Sequence, residues 1–311
     1  MTDPATKRSP LARGYDRAMI ELAASREAAR TGQAEVGFEQ LLLGVLVNGG
    51  PGARLLMDAG VGLAEARSAI DALVREDLAL LGIDAAPPAL GPGAPELLPL
   101  SPRLREIVDD CPSAEGDGAL IAALIDDGGG RVRRLLDRLG VDTDRIRREL
   151  GDPDRTPEPE PAAAGGPDTA DAAPEGWEYT VYRLEVPVSV ARVWAVVGDP
   201  DRRAEWEANS TGSRRLGDGS VELLREGEPT YSESITHSVP GRTVTWTRAD
   251  RSGAPRTLRI DIEPVGEHAR LHLRMGWPNA LRGRIANRVV RWIARQQLRF
   301  HAQGITQAAA S

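Results

Sequence analysis

The sequence is almost without lysine and has a single cysteine. Of its 39 basic residues, only Lys7 is a lysine. A P-loop needs a lysine that follows a glycine-rich turn and reaches the nucleotide phosphates, and no such turn precedes Lys7. This excludes nucleotide hydrolysis by a P-loop. Cys111 cannot form an internal disulfide, which suits a protein of the reducing cytoplasm.

Long apolar runs are also absent. No segment approaches the roughly 18 uninterrupted apolar residues of a membrane-spanning helix. The polar start, Met1 to Arg17, lacks the apolar core of a signal peptide. The four histidines show no metal-ligand spacing. We therefore expect a soluble, cytoplasmic protein that has no transmembrane segment and holds no metal or cofactor.

An acidic, proline-rich stretch divides the chain. Residues 151–176 contain no large apolar side chain, so they cannot bury enough surface to offset the entropy of ordering. We predict a disordered linker there, between a first domain at 10–150 and a second at 177–308. Residues 1–150 carry 24 acidic and 18 basic side chains, whereas residues 177–311 carry 15 acidic and 20 basic. The net charge of −7 therefore combines a negatively charged first domain and linker with a positively charged second domain.

The first half of the chain contains an internal helical repeat. Its apolar residues recur at helical spacing, with glycine-rich turns between the runs. Residues 54–61 match residues 134–141, and residues 41–46 match residues 120–125. Two copies of one helical unit that pack face to face explain this pattern. A proline-rich insert at 85–99 joins the copies.

After the linker, the apolar period changes from helical to alternating. Glycine and proline turns separate the alternating segments, which is typical of antiparallel strands. Helices are predicted at 189–197, at 200–208 and, last and longest, from Leu281 to about Thr306. The predicted strands are 178–186, 220–225, 230–239, 242–249, 256–264 and 269–277.

The first half resembles the Clp N-terminal (Clp R) repeat domain, which binds substrates and adaptors in Clp-type unfoldases. The resemblance rests on residues 36–46 and on the Leu-Leu…Gly-Val unit of both copies. It implies an all-α domain of two pseudo-repeats. In relatives that recognise phosphoarginine-tagged proteins, an acidic residue before each leucine run helps to form a pocket. Glu39 matches the first acid and is the candidate peptide-binding residue, whereas Gly118 stands at the second position.

Glu39 also has an ordinary structural explanation. It lies near the start of a predicted helix, where a carboxylate is favoured by the helix dipole. Both interpretations stay open at this point.

The second half resembles the START-like superfamily, also called SRPBCC or polyketide cyclase/dehydrase type. Residues 186–194, the pair Asp199-Pro200 and Trp206 carry this resemblance. It implies an α+β helix-grip fold, in which an antiparallel sheet surrounds a long C-terminal helix and leaves a cavity. That fold supports many unrelated functions, so the resemblance predicts the architecture better than the activity.

Strand alternation predicts which side chains line this cavity. An apolar wall with a few polar groups suits a small-molecule pocket, although the same side chains could simply fill the core. Glu233 and His237 lie four residues apart on one strand and are weak candidates for an acid–base pair. Alternatively, one or both side chains lie near the strand ends in water, or they form a structural ion pair with Arg248. The candidate cavity residues are Tyr231, Ile235, Trp246, Arg248, Ile260, Leu273, Met275 and Trp277.

The last predicted helix carries two parallel stripes. Arginines form one stripe, and an adjacent apolar stripe is expected to pack on the sheet. The arginines could form a solvated face or dock on the acidic linker, the Clp-like repeats, an acidic protein or anionic lipid. Nucleic acid is not an expected partner, because interleaved aromatic residues are absent and the chain is acidic. The arginines are Arg284, Arg288, Arg291, Arg295 and Arg299, and the apolar residues are Ile285, Val289, Trp292 and Phe300.

These features favour a binding or regulatory protein without catalytic activity. The Clp-like half would recognise a protein, a peptide or a Clp-targeting cyclic peptide, so a Clp unfoldase or one of its clients is the expected partner. The START-like half would hold a small apolar ligand. The alternative is a polyketide cyclase or dehydratase that uses the cavity for catalysis.

Overall fold

The computed structural model describes residues 10–84, 97–111, 116–151, 176–207, 210–249, 255–278 and 284–311. The chain separates into two compact units, Met1–Glu158 and Pro159–Ser311. The predicted linker at 151–176 lies almost entirely outside the described residues, as does most of the insert at 85–99. Both remain predictions.

The first unit is helical, as predicted. Its helices begin at the expected breaks, since Pro51 and Pro102 occupy first turns and glycines precede α2, α3 and α4. The helices are α1 (Pro10–Arg30), α2 (Phe38–Asn48), α3 (Pro51–Asp58), α4 (Leu63–Leu80), α5 (Pro102–Asp110), α6 (Gly116–Asp126), α7 (Arg131–Arg138) and α8 (Thr143–Leu150).

The internal repeat appears as two similar groups of helices. Helices α2, α3 and α4 correspond to α6, α7 and α8, and α5 is a shortened counterpart of α1. The two groups pack reciprocally, with α3 against α6 and α7 against α2. Gly44 lets α1 and α2 approach closely, because a Cβ there would lie 2.5 Å from the Ile20 carbonyl oxygen. The repeated leucine runs of α2 and α6 are buried, so they form the core between the copies.

A buried ion pair ties α1 to α4. Arg67 donates from Nε and Nη2 to the Glu27 carboxylate at 2.9 and 2.7 Å. The side chain of Glu27 is 1% exposed and that of Arg67 is 6% exposed. Two charges so well removed from water stabilise the fold only as a pair, because either one alone would be buried without compensation.

The described residues of the second unit form a single antiparallel sheet with three helices. Its helices are α9 (Val190–Val197), a 3₁₀ helix (Pro200–Trp206) and α10 (Arg284–Ala309). The sheet order is β1-β7-β6-β5-β4-β3-β2. Strand β2 was not predicted, but the helix-grip architecture is confirmed. The strands are β1 (Trp177–Val186), β2 (Gly212–Arg215), β3 (Val221–Arg225), β4 (Glu228–Val239), β5 (Thr243–Ala249), β6 (Arg256–Val265) and β7 (His268–Pro278).

A register shift in β4 changes which side chains face the core. Ile235 lies opposite Trp246, but His237 lies opposite Thr245, so one extra residue is inserted between them. An inserted residue reverses the alternation of the strand beyond it. Glu233 is accordingly buried, whereas His237 is exposed. Val239, two residues further along the strand, is also exposed, at 40%.

Helix α10 packs on the sheet through a different stripe from the predicted one. Val289 and Trp292 are 52% and 59% exposed, so the prediction that they face the sheet is wrong. The buried residues are instead Ala294, Leu298, Ala302 and Ile305. Small residues on this stripe allow a close approach. A Cβ at Gly304, for example, would lie 2.7 Å from the Trp206 carbonyl oxygen.

Candidate functional site

A small pocket lies between the sheet and α10 of the second unit. Its free volume is about 50 Å³, well below the roughly 300 Å³ of an ordinary ligand pocket. Side chains therefore fill most of the predicted cup. The lining residues are Glu207, Glu233, Arg248, Arg256, Thr257, Leu258, Met275, Gln297, Phe300 and His301.

Arg203 lies at the centre of a buried charge cluster beside this pocket. Its side chain is fully buried, and its Nε and Nη2 donate to Glu233 and Glu207, both at 2.7 Å. The guanidinium also lies 3.7 Å from the centre of the Trp206 ring, a cation–π contact. Burial by itself lowers the pKa of Arg203, but Glu233 and Glu207 outweigh it and raise the pKa. Arg203 therefore stays charged.

The 3₁₀ helix positions Arg203. Asp199 caps this helix by accepting from the backbone N–H of Asp201 at 2.9 Å, and Pro200 occupies the first turn. Side chains three residues apart eclipse in a 3₁₀ helix, so Arg203 and Trp206 point the same way. Both are buried, at 0% and 1% exposure.

Glu207 and His301 form the second part of the cluster. His301 Nδ1 lies 3.6 Å from Glu207 Oε2, and each side chain is 8% exposed. Burial alone would raise the pKa of Glu207, but the positive charges of His301, when protonated, and of Arg203 outweigh it and bring the pKa to about 2. Burial lowers the pKa of His301 more than Glu207 raises it. At neutral pH, therefore, Glu207 is ionised and His301 is neutral.

Arg248 completes the cluster from β5. It lies directly opposite Glu233 across the β4–β5 pair, and its Nε donates to Glu233 Oε1 at 3.3 Å. Its guanidinium also lies 3.2 Å from the centre of the Tyr231 ring. Burial, with smaller contributions from Glu207 and Glu233, raises the pKa of the Tyr231 hydroxyl, so it stays protonated. The two oxygens of Glu233 thus accept from two different arginines.

The predicted cavity residues divide into three groups. Arg248 and Met275 line the pocket together with Glu233. The other candidates do not line it, and their positions differ. Trp246, Ile260 and Leu273 are fully buried in the core, whereas Tyr231, Ile235 and Trp277 are half-buried.

His237 does not pair with Glu233, because the β4 bulge turns it to the exposed face. The structural ion pair between Glu233 and Arg248 is the alternative that the structure contains. Sequence reasoning missed Arg203, Glu207 and His301. The sequence does carry a signal for Arg203, because it lies three residues before Trp206 in a short helix that begins with Pro200. His301 gives no comparable signal.

The first unit places Glu39 near the start of α7. Glu39 is the second residue of α2, and its Oε1 accepts from Arg131 Nε at 2.6 Å. The Glu39 side chain is 10% exposed, whereas Arg131, the first residue of α7, is 51% exposed. This carboxylate already holds a guanidinium that lies partly in solvent.

In the second copy, Asp117 occupies the comparable place. Its Oδ2 accepts from the backbone N–H groups of Gly52 and Ala53, at 3.1 and 3.2 Å, in the first turn of α3. Burial raises the pKa of Asp117, and these backbone donors offset part of the effect. In each copy, a carboxylate thus contacts the start of a helix in the other copy. The carboxylate of Asp117 accepts from backbone N–H groups, whereas that of Glu39 accepts from the Arg131 side chain.

The described residues offer neither a metal site nor a membrane span. Within them, no cluster of three or more His, Cys, Asp or Glu side chains could hold a metal ion. None of the described helices combines the length and the hydropathy needed to cross a bilayer. Cys111 is buried.

Comparison with known families agrees with both resemblances. Residues 179–302 match the family described as polyketide cyclase / dehydrase and lipid transport. The second half therefore carries a domain of polyketide cyclase/dehydrase type. A solved structure of a Mesorhizobium loti protein is 12% identical, with a TM-score of 0.33, and the match covers 42% of this chain and 96% of that one. XoxI from Bacillus cereus is 14% identical, with a TM-score of 0.33 and coverage of 42% and 94%.

The first half is similar to Clp proteins. The ATP-dependent Clp protease ATP-binding subunit ClpA homolog of Cyanidium caldarium is 30% identical over 140 residues, which are 42% of this chain and 15% of that protein. The chloroplastic chaperone protein ClpC1 of Oryza sativa subsp. japonica is 30% identical over 149 residues, 44% of this chain and 16% of that protein. This chain therefore spans about a sixth of the length of these curated relatives, and its similarity is to a Clp-repeat-like region.

Proposed function

We propose that this chain is a binding protein whose second unit holds part of a small molecule and whose first unit recognises a protein segment. The observation that carries this proposal is the buried cluster around Arg203. Its two carboxylates, Glu207 and Glu233, are both ion-paired with arginine. A general acid or base works best when its pKa lies near the working pH. A carboxyl with a pKa of about 2, such as that of Glu207, is far from that range.

The pocket lining indicates the kind of ligand. Leu258, Met275 and Phe300 provide an apolar side, whereas Thr257 and Gln297 provide neutral hydrogen-bonding groups. The small volume admits only part of a molecule beside these groups. We therefore expect a small, largely apolar ligand that inserts one end bearing a polar group.

Native mass spectrometry of the chain purified from its own host tests this part. We expect a bound small molecule, and we expect it to be lost in Met275→Trp, because the larger side chain fills the pocket. His237→Ala is the matched control, since His237 lies on the exposed face of the same sheet. Bare protein mass in the wild type, or equal retention in Met275→Trp, would contradict ligand binding at this pocket.

For the first unit, the proposed site is Glu39. Its pairing with Arg131 supports a role in binding arginine-type groups, because the carboxylate accepts a guanidinium that is half exposed. An arginine or phosphoarginine on a partner protein would compete with Arg131. This partner would be a Clp unfoldase component, one of its clients or a Clp-targeting cyclic peptide.

Fluorescence polarisation with a labelled phosphoarginine peptide tests this role on the full chain. We expect Glu39→Gln to abolish binding and Arg131→Gln to strengthen it, because the internal competitor is removed. Glu106→Gln is the control, since Glu106 forms an exposed pair with Arg103. Unchanged affinity in Glu39→Gln would refute the assignment. A pull-down from the cytoplasm, where we propose that the protein acts, would identify the partner.

The second candidate function is catalysis by a cyclase or dehydratase, and His301 favours it. Its imidazole lines the pocket, and burial keeps it neutral and able to accept a proton. In that case His301→Gln would abolish turnover of a polyketide-like substrate without releasing the bound molecule. Binding alone predicts no turnover in the wild type.

A further inference from the structure

The first turns of α10 leave large apolar side chains in solvent. Val289, Trp292 and Ile293 are 52%, 59% and 46% exposed. Their spacing of three and four residues places them on one side of the helix. Exposed apolar residues usually occur singly, whereas a contiguous group marks an interaction surface. The sheet does not cover this group, because α10 packs through Ala294, Leu298 and the residues that follow.

A row of arginines borders this apolar group. Arg288, Arg291 and Arg295 are all exposed, and their spacing of three and four residues sets them on the adjacent side of α10. Arg291 pairs with Glu178 at 3.3 Å and remains 57% exposed. Within the described part of the chain, Arg288 and Arg295 have no carboxylate partner. Residues 284–309 contain no acidic side chain, so the charge of this surface is positive.

The same surface leads along α10 to the pocket. Val289 lies two turns before Gln297 and Ile293 lies one turn before it, and Phe300 follows on the same side. Gln297 and Phe300 line the pocket. A surface that covered the exposed apolar group would therefore lie beside the pocket opening.

We propose that this face of α10, formed by Arg288, Val289, Arg291, Trp292, Ile293 and Arg295, docks on an anionic lipid surface. A helix with exposed apolar and aromatic residues beside arginines has the composition of one that lies in the membrane interface. Tryptophan is favoured at that depth, and the arginines meet the anionic headgroups. An acidic protein would be attracted to the arginines, but the charge alone gives no reason for three exposed apolar side chains. Docking is independent of which molecule the pocket holds.

Vesicle co-sedimentation of the full chain tests the proposal. We expect binding to vesicles of phosphatidylcholine with phosphatidylglycerol, and little binding to phosphatidylcholine alone. Arg288→Gln/Arg291→Gln/Arg295→Gln should weaken binding about a hundredfold, because each cation near an anionic surface contributes roughly fivefold. Val289→Ser/Trp292→Ser/Ile293→Ser should weaken it by about tenfold or more, because the inserted apolar area is lost.

The control is Arg192→Gln/Arg225→Gln/Arg242→Gln, which removes the same charge from exposed positions elsewhere on this unit. It should bind anionic vesicles nearly as the wild type does. Three outcomes would overturn the proposal: no sedimentation of the wild type with anionic vesicles, an equal loss in the control, or undiminished binding by the serine variant. Undiminished binding by the serine variant would mean that the arginines alone adsorb to negative charge. That behaviour is expected of a surface that binds an acidic protein.

Discussion

Replacing Arg203 by methionine removes the guanidinium that lies between Glu207 and Glu233. Methionine keeps most of the side-chain volume, so the change is chiefly the loss of one buried positive charge. Glu233 retains Arg248 at 3.3 Å, and Glu207 retains His301 at 3.6 Å. Both remaining contacts are longer than the two 2.7 Å contacts that are lost. We expect a large loss of stability in the second unit at neutral pH.

The pKa of Glu207 allows the magnitude to be worked out. Its carboxyl has a pKa of about 2 in the folded protein, against an ordinary value of 4.5. At 1.36 kcal/mol for each pKa unit, the whole shift corresponds to about 3 kcal/mol of folding free energy, and Arg203 supplies only part of it because His301, when protonated, contributes more. Arg203→Met also removes the 2.7 Å pair with Glu233, and breaking a buried ion pair by removing one partner costs about 3–5 kcal/mol. Arg203→Met should therefore lower the free energy of unfolding by about 3 kcal/mol.

The pH dependence of this loss follows from the direction of the shift. A carboxyl whose pKa is lower in the folded state stabilises that state fully above its unfolded pKa, here 4.5. The contribution disappears as the pH falls towards about 2. The difference in stability between the wild type and Arg203→Met should therefore be largest above pH 5 and shrink as the pH is lowered to 3.

Urea denaturation followed by tryptophan fluorescence measures this difference. All six tryptophans lie at position 177 or later, so the signal reports the second unit in the full chain. Arg215→Met is the matched control, because Arg215 pairs with Asp201 at the surface with side chains 54% and 65% exposed. Such a pair contributes about 1 kcal/mol or less. The reasoning is refuted if Arg203→Met is no less stable than Arg215→Met at pH 7, or if their difference grows as the pH falls.

Three further substitutions test the packing of both units. Trp246→Phe should lower the free energy of unfolding in urea by about 1–3 kcal/mol, because Trp246 Nε1 donates to the buried Val197 carbonyl at 3.0 Å; no change would contradict that bond. Glu27→Gln should lower the thermal midpoint of the helical circular dichroism signal by breaking the buried Arg67 pair, while the tryptophan midpoint stays unchanged. Asp117→Ala should lower the helical midpoint more than Asp117→Asn, which keeps an oxygen acceptor for the start of α3; equal effects would count against this role.

Strand alternation predicted the inner face correctly only as far as the β4 bulge. Glu233 lies on that face because β4 pairs regularly with β5 from Ser232 to Ile235. The pairing with His237 failed because one inserted residue reversed the alternation. Neither a glycine nor a proline marks this bulge in the sequence, so the alternation of side chains alone could not predict it.

The charged cluster was out of reach of sequence reasoning for a different reason. Arg203 meets Glu233 across 30 positions of the chain, and Glu207 meets His301 from α10. Motif spacing detects groups that are neighbours along one element, whereas these contacts depend on how a 3₁₀ helix, a strand and a distant helix pack together. The exposed apolar residues of α10 were missed similarly, because the helix has two apolar stripes and the sequence does not say which one the sheet covers.

The sequence by itself determined that the chain has two unlike halves, because the period of apolar residues depends only on the order of side chains. It also excluded a P-loop, since the required lysine is missing, and it indicated Glu39 and Glu233 as carboxylates of interest. The tertiary structure alone decided what those carboxylates can do. Glu39 meets Arg131, and Glu233 meets two arginines, because burial and neighbouring charge, which control the behaviour of an ionisable group, arise only when distant segments come together.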